Sequence, residues 1–390
     1  NALDLNGHSW PAACFNDSRD QHFFIIGDWG GILSGSEPLT FKNRPTIIDP
    51  IDIHAQSFVA NKMADIAKDS LPKFIVNVGD NFYPGGISSP GTCNAETHGT
   101  DAAGSIIFSN IFEKIYKGPG LDGVEWWGVL GNHDYGGYHY NVHWDQNIFY
   151  TWGQQGQPKS RWLTPALYWS RQVFFRNFSV DFFFVDTNRA DTDGNPDADP
   201  EHNICSRSHN QPPQPLGCNG TSITNPDTCW KWFLDLWDEQ KKWLADKLEA
   251  SRAEWQILVT HYPPTFEPCR SEAWDSMLAK YGVDLYISGH THLQQVHQSD
   301  DFGGTTYVIS GGGGGITADQ LPTKTGEDDA YGFMDVVINH QTITITRYSH
   351  GGVDRRTVVR GKTVVTPRSR QGSEQASEAS GKGSEVQVVV

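Results

Sequence analysis

Five times along this chain an apolar run stops at a glycine or threonine and hands over to a side chain that can bind a metal. Phe23 to Ile26 leads into Gly27-Asp28-Trp29-Gly30-Gly31, and Phe74 to Val78 into Gly79-Asp80-Asn81-Phe82-Tyr83. Trp126 to Leu130 leads into Gly131-Asn132-His133-Asp134, Trp255 to Val259 into Thr260-His261-Tyr262-Pro263, and Val283 to Ile287 into Gly289-His290-Thr291-His292. Short apolar runs closed by turn residues read as buried strands. In open α/β sheets, sites form beyond the carboxyl ends of the strands. The pattern therefore demands an α/β fold in which several strand ends meet at one place.

Helical periodicity fills the spaces between these strands. Residues 54–69 carry Ala55, Phe58, Val59, Met63, Ile66 and Ala67 on one face, and residues 105–116 form a further helical stretch. From Trp230 to Ala250, Trp230, Phe233, Leu234, Trp237, Leu244 and Leu248 keep the same spacing. Phe182 to Val185 is another strand, closing on Asp186, and Thr306 to Ile309 is one more. Runs 333–338 and 342–347 resemble a hairpin around Asn339-His340. Residues 1–21 read as a lead-in that Cys14 pins down, and 22–364 as one domain. Within it, 191–229 is a long irregular insertion, and loops of that length are uncommon unless functional or stapled. Residues 365–390, dominated by Ser, Gly, Glu and Gln, read as a disordered tail.

A net charge of −16 over 390 residues argues against nucleic acid and anionic membranes as partners. It leaves room for an anionic substrate, because a metal pair dominates its local field. The six cysteines, Cys14, Cys93, Cys205, Cys218, Cys229 and Cys269, form no CxxC. Their even number and wide spacing favour disulfides of unspecified pairing. Asn16, Asn177 and Asn219 head glycosylation sequons. With the cysteines, and with a start at Asn1 that implies a removed signal peptide, they point to a secreted or lysosome-like compartment. No apolar run approaches the ~18 residues of a spanning helix, and a monomer is expected. The 14 tryptophans are expected mostly in the core.

Each site residue has a chemistry that suits its place. The carboxylates of Asp28 and Asp80 suit hard cations, and one carboxylate can bridge two metals. Either Asp alone would read equally well as a turn cap. Tyr83 stands three residues past Asp80, so one tight turn can aim both at one metal. Asn132 offers a neutral carbonyl oxygen, and His133 beside it points toward substrate. Asp134 either orients His133 or caps the turn. His261 is followed by Pro263-Pro264, which ends the strand. His290 and His292 sit two apart and would face the same side if that stretch is extended. Imidazole suits zinc and iron. Gly311 to Gly315 lacks the lysine and helix start of a phosphate loop and reads as a turn after a strand.

Taken together, GDWGG, GDNFY, GNHD, THYP and SGHTH resemble the purple acid phosphatases, of the short tartrate-resistant type, within the calcineurin-like metallophosphoesterases. The resemblance implies a four-layer α/β/β/α sandwich of mixed sheets. It implies that Asp28, Asp80, Tyr83 and His292 hold iron(III). Asp80, Asn132, His261 and His290 would hold a divalent ion, iron or zinc with manganese as an alternative. Asp80 would bridge the two, and Tyr83 on iron(III) would give the colour that names the family. The implied activity is hydrolysis of phosphate monoesters at acidic pH, with metal-activated hydroxide attacking phosphorus in line. His133 would orient the phosphate or protonate the leaving oxygen.

The chain departs from that pattern in three places. Mammalian-type relatives place a further histidine after the THYP-like motif, where this chain has Thr265-Phe-Glu-Pro-Cys-Arg. The stretch 84–104 is glycine-rich, and the 191–229 insertion is longer than the short members have. Two rival readings follow. One is a phosphodiesterase or nucleotide hydrolase on the same fold. The other is a non-catalytic attachment protein of the kind the glideosome-associated proteins of apicomplexan parasites represent, although their route to inactivity includes loss of ligands and this chain keeps all seven.

Overall fold

Alternation along Gln21–Ile26 sets the layering. Phe23 and Ile25 enter the core between two sheets, while Phe24 and Ile26 pack under the helix Ala55–Ser70 with Val59 and Met63. The two faces of one strand thus serve two apolar layers. The computed structural model describes residues 2–31, 38, 40, 44, 46–87, 106–153, 160–210, 223–298 and 300–368. Cys93, Cys218, the Asn219 sequon, most of the glycine-rich stretch and the tail from residue 369 lie outside them.

Fourteen strands are present among these residues. They are β1 (His8–Phe15), β2 (Gln21–Ile26), β3 (Phe74–Asn77), β4 (Glu125–Gly128), β5 (Trp162–Leu163), β6 (Trp169–Phe175) and β7 (Ser179–Phe184). Then come β8 (Trp255–Val259), β9 (Leu285–Ser288), β10 (Gln294–His297), β11 (Thr306–Ser310), β12 (Gly332–Ile338), β13 (Ile343–Ser349) and β14 (Val359–Val365). One sheet has the order β1-β6-β7-β8-β9-β11-β10 and the other β14-β13-β12-β2-β3-β4-β5. Both are mixed: β2, β3 and β4 run parallel, as do β7, β8 and β9, while β12 is antiparallel to β2 and β13.

The sheets face each other across an aromatic core. Phe74 stacks on Trp127 at 3.7 Å between ring centres, and Phe182 meets Phe74 edge-on at 5.4 Å. Helix α1 (Ala55–Ser70) covers one outer face. Helices α3 (Pro226–Ala250) and α4 (Asp275–Tyr281) cover the other, with Trp237, Leu244 and Leu278 against Phe183, Leu258 and Tyr286. Helix α2 (Asp145–Trp152) lies beside β5. This is the four-layer sandwich the motifs imply, and tryptophans 126, 127, 162, 169 and 255 are essentially fully buried in it. Helix α3 starts a turn earlier than its apolar periodicity, because Asn225 and Thr228 form a reciprocal capping box and Pro226 opens the first turn.

Several expectations need correction. Residues 8–15 are not a loose lead-in but the edge strand β1, parallel to β6. Cys14 pins nothing: it is exposed and unbridged. Cys269 is also a free thiol, buried beside Trp274 and Leu278. The one disulfide among the described residues joins Cys205 to Cys229, stapling the insertion to the first turn of α3. The sequon residues Asn16 and Asn177 are both exposed. No helix of the described residues is long and apolar enough to cross a membrane.

Candidate metal centre

The carboxyl ends of β2, β3, β4, β8 and β9 converge, and each delivers its motif. Three of the delivered residues, Asp28, Asp80 and His290, have left-handed backbone, with φ of 57°, 50° and 66°. Such conformations in non-glycine residues cost of order 1–3 kcal/mol each and gather at functional sites. Close packing holds them there. A Cβ on Gly131 would lie 2.2 Å from Oδ1 of Asp80, and one on Gly315 would lie 2.5 Å from the Tyr83 ring. The glycine run after β11 is therefore a floor under Asp28 and Tyr83, with Gly313 N–H and Gly315 N–H donating to the carbonyls of Gly27 and Asp28.

Donor atoms of Asp28, Asp80 and His292 lie within 4.8 Å of one another, all buried. The Tyr83 hydroxyl joins them, 2.7 Å from Oδ2 of Asp80, 3.2 Å from Oδ1 of Asp28 and 3.3 Å from Nε2 of His292. On the other side of Asp80, Nε2 of His261 is 3.5 Å from its Oδ1 and 3.0 Å from Oδ1 of Asn132. His290 Nδ1 is 3.3 Å from the same Asn132 oxygen. All seven predicted ligands thus form two groups that meet at Asp80.

Two of the histidines have a partner at the second nitrogen, as is usual where imidazole binds a metal. His261 Nδ1 faces the Val78 carbonyl at 2.8 Å, and His292 Nδ1 faces Asp319 at 3.3 Å. His290 has Tyr262 against its ring at 4.0 Å and Phe266 edge-on at 5.1 Å. The stretch His290-Thr291-His292 is bent rather than extended, because His290 is left-handed. The two rings consequently serve different groups instead of one face.

Electrostatics test whether the pocket fits metals. Burial, and then the charge of Asp80, pushes the Asp28 carboxyl well above its ordinary range. Burial also acts to raise Asp80, but His261, His133 and the Tyr83 hydroxyl outweigh it and hold that carboxyl low. Burial and the two aspartates push the Tyr83 phenol up, while burial first, then neighbouring histidines, depresses His290. Among the described contacts, the partners of the two carboxylates are histidines, a phenol and backbone N–H groups. A buried set of lone-pair donors without a fixed cation matches a bound metal pair.

His133 stands at the rim, half-buried. Its backbone N–H donates to Oδ1 of Asp80 at 2.8 Å, its ring lies 4.4 Å from Tyr83, and its Nδ1 is 2.5 Å from the Pro84 carbonyl. With Nδ1 donating to Pro84, Nε2 is the nitrogen available to a ligand. Asp134 does not orient His133. Its buried carboxylate accepts from Asn81 Nδ2 at 2.8 Å, Gly131 N–H at 2.9 Å and Asn81 N–H at 3.1 Å. It ties the Asp80 turn to the Asn132 turn, because a buried carboxylate takes the nearest orphan donors.

One residue at the site was not anticipated. Asp191 is 5 % exposed and lies close enough to the centre for the charge of Asp80 to act on it. Burial pushes it up to about 7, against the opposing charge of His202.

Two facing mixed sheets with this cluster at their strand ends define a metallophosphoesterase. The chain belongs to the calcineurin-like phosphoesterase family, whose model matches residues 22–294. It is 26 % identical over 392 residues to the tartrate-resistant acid phosphatase type 5 of Rattus norvegicus, covering 95 % of this chain and 90 % of that protein. It is 26 % identical over 348 residues to purple acid phosphatase 7 of Arabidopsis thaliana, covering 85 % and 83 %. Among solved structures, GAP50, the anchor in the inner membrane complex of Plasmodium, shares the fold. Its TM-score is 0.56 at 17 % identity, over 95 % of this chain and 98 % of that one. A dimetal phosphatase from Danio rerio does so at TM-score 0.50 and 13 % identity, over 89 % and 99 %.

Proposed function

We propose that this protein hydrolyses phosphate monoesters at acidic pH through an Fe(III)–M(II) centre in a secretory or lysosome-like compartment. The observation that carries the reading is the Tyr83 hydroxyl, set among Asp28, Asp80 and His292. A phenol buried between two carboxylates gives up its proton only to a strongly polarising cation, and iron(III) fits that demand better than a divalent ion. Asp28, Asp80, Tyr83 and His292 would hold the iron, and Asp80, Asn132, His261 and His290 the divalent ion. Such a centre supplies positive charge for a phosphate ester and water acidified enough to attack at low pH. His133 directs Nε2 at the bound phosphate or at the leaving oxygen. Asp134 has no part in the proton transfer; it holds two ligand turns in register.

Metal analysis of the purified full chain, with its visible spectrum, tests the reading. A purple or pink protein with about two metal ions per chain, one of them iron, is expected. A colourless protein holding only zinc or manganese overturns the iron assignment. Turnover of a phosphomonoester against a bis-ester separates the monoesterase from a phosphodiesterase. The fold shared with the Plasmodium anchor is the reason for a second reading, a non-catalytic attachment protein. A metal-loaded chain that turns over neither ester selects it.

A further inference from the structure

A second cleft lies at the end of the molecule away from the metal centre. Strand β7 runs parallel to β8 and β9, whose carboxyl ends reach the centre, so the turn that leads into β7 is at the far end. Strand β2 begins at that end, and β12, antiparallel to β2, finishes there. Between these strand ends is a cleft of about 260 Å³, whose lining includes Asp17, Arg19, Gln21, Asn177, Phe178 and Asn339. Drug-sized ligands fill clefts of roughly 300–1,000 Å³, so this one has room for a single sugar ring and little more.

Gln21, the first residue of β2, is 7 % exposed. Its Nε2 faces three oxygens, the carbonyls of Asp17 and Arg19 and Oδ1 of Asp17, and this fixes which end of the amide is which. The Oε1 end is buried and accepts from no group among the described residues. A buried acceptor without a donor is costly and uncommon, so it calls for a ligand that brings an N–H or O–H. Phe178 adds an apolar surface. It is half-buried and is the outer ring of a stack, 4.6 Å from Phe175, which in turn lies 5.7 Å from Phe15. An acceptor beside an aromatic ring suits a sugar, whose C–H face is apolar and whose rim donates hydrogen bonds.

Asn177 is exposed in the β6–β7 turn, which the Phe175 N–H closes by donating to the Phe178 carbonyl at 2.9 Å. It heads the sequon Asn177-Phe178-Ser179. A second sequon starts at Asn16, next to Phe15, which pairs with Phe175 in the ladder between β1 and β6. The two asparagines thus leave neighbouring strand ends, yet of the two only Asn177 lines the cleft.

We propose that Asn177 is N-glycosylated and that the first N-acetylglucosamine of its glycan lies in this cleft, against Phe178, with its acetamido N–H donating to Oε1 of Gln21. The inference rests on the reading of the chain as a secretory protein. In the modification a polyprenyl pyrophosphate-linked oligosaccharide gives its C1 to Nδ2 of Asn177. The C1–O bond to the pyrophosphate breaks, the polyprenyl pyrophosphate leaves, and Nδ2 releases one proton. The glycan then closes the far end of the two sheets and leaves the metal centre open.

The test uses the full chain secreted from mammalian cells held at high-mannose glycans. Glycopeptide mass spectrometry should find sugar on Asn177. Asn177→Gln should melt about 2 °C or more below wild type, the size expected for one buried acceptor losing its donor, while Asn16→Gln should melt as wild type does. Wild type trimmed with endoglycosidase H keeps only the first sugar and should retain the wild-type midpoint. A trimmed protein that melts as low as Asn177→Gln, or an equal loss in Asn16→Gln, overturns the proposal. A secreted chain with no sugar on any sequon removes the secretory reading together with this inference. Sugar on other sequons but not on Asn177, or sugar on Asn177 with an unchanged midpoint in Asn177→Gln, removes the inference alone.

Discussion

The Tyr83 hydroxyl donates to Oδ2 of Asp80 at 2.7 Å across a turn of three residues. On the proposed assignment, that contact would bring the phenol within reach of a metal held by Asp80. Tyr83→Phe keeps the ring against His133 and above Gly315 and removes only the oxygen. The visible band should vanish while the far-UV spectrum stays native. A band that persists assigns the colour to another ligand.

Asn132→Ala and His290→Ala each remove a donor from the group that shares only Asp80 with the side proposed to hold iron. In both, metal content should fall toward about one ion per chain, and turnover should drop by ~10²-fold or more. Atomic absorption and steady-state assays on the same samples check the coupling. Full activity in both variants would remove the dinuclear mechanism.

His133 contacts the centre in two separable ways. Its backbone N–H holds Asp80, and its ring, anchored on Pro84, faces outward. His133→Ala deletes the ring and keeps the backbone bond. The expected result is unchanged metal content with kcat lower by about 10²–10⁴-fold, the usual size of a lost general acid or orienting group. A parallel loss of metal would mean that the ring serves the ligands instead of the substrate.

Asp145, the first residue of α2, is 5 % exposed, and burial pushes its carboxyl up to about 7. The folded chain therefore holds a proton between about pH 4 and pH 7 that the unfolded chain has released. The stabilising linkage is complete below the unfolded value and is lost as pH rises through about 7. Asp145→Asn stays neutral throughout. Its thermal midpoint relative to wild type should be higher at pH 8 than at pH 5. Equal offsets at the two pH values would show that the carboxyl is not held neutral.

The candidate ligands were legible because each follows the same local grammar, a buried strand, a small residue, then a donor. The core strands were legible for the same reason: Phe23 to Ile26 or Trp255 to Val259 can satisfy little but a sheet interior. Strands β1 and β14 escaped because each buries a single side chain, with Val359 and Val364 exposed on β14, and β6 and β10 because polar residues such as Ser170, Gln172, Gln294 and Gln295 dilute their apolar content. The bend at His290 escaped because nothing in Gly-His-Thr-His marks the histidine as left-handed. Close packing against its neighbours does that: its N–H bonds Oδ2 of Asp28, 262 residues away in sequence. Asp191 was hidden for the opposite reason. It opens a stretch so rich in Asp, Asn, Pro and Gly that one buried carboxylate looks like every exposed one. Only its burial in the folded chain distinguishes it.

The left-handed backbone at Asp28, Asp80 and His290 has a consequence for metal exchange. These bends pack against glycines and carry hydrogen bonds from within the chain. On the proposed assignment, an incoming metal would meet donors already turned toward it. Uptake then becomes a contest among the cations the surroundings offer, settled by charge and ligand preference. The same polypeptide matured in iron-poor and iron-rich conditions should therefore emerge equally well folded and differ only in what it carries.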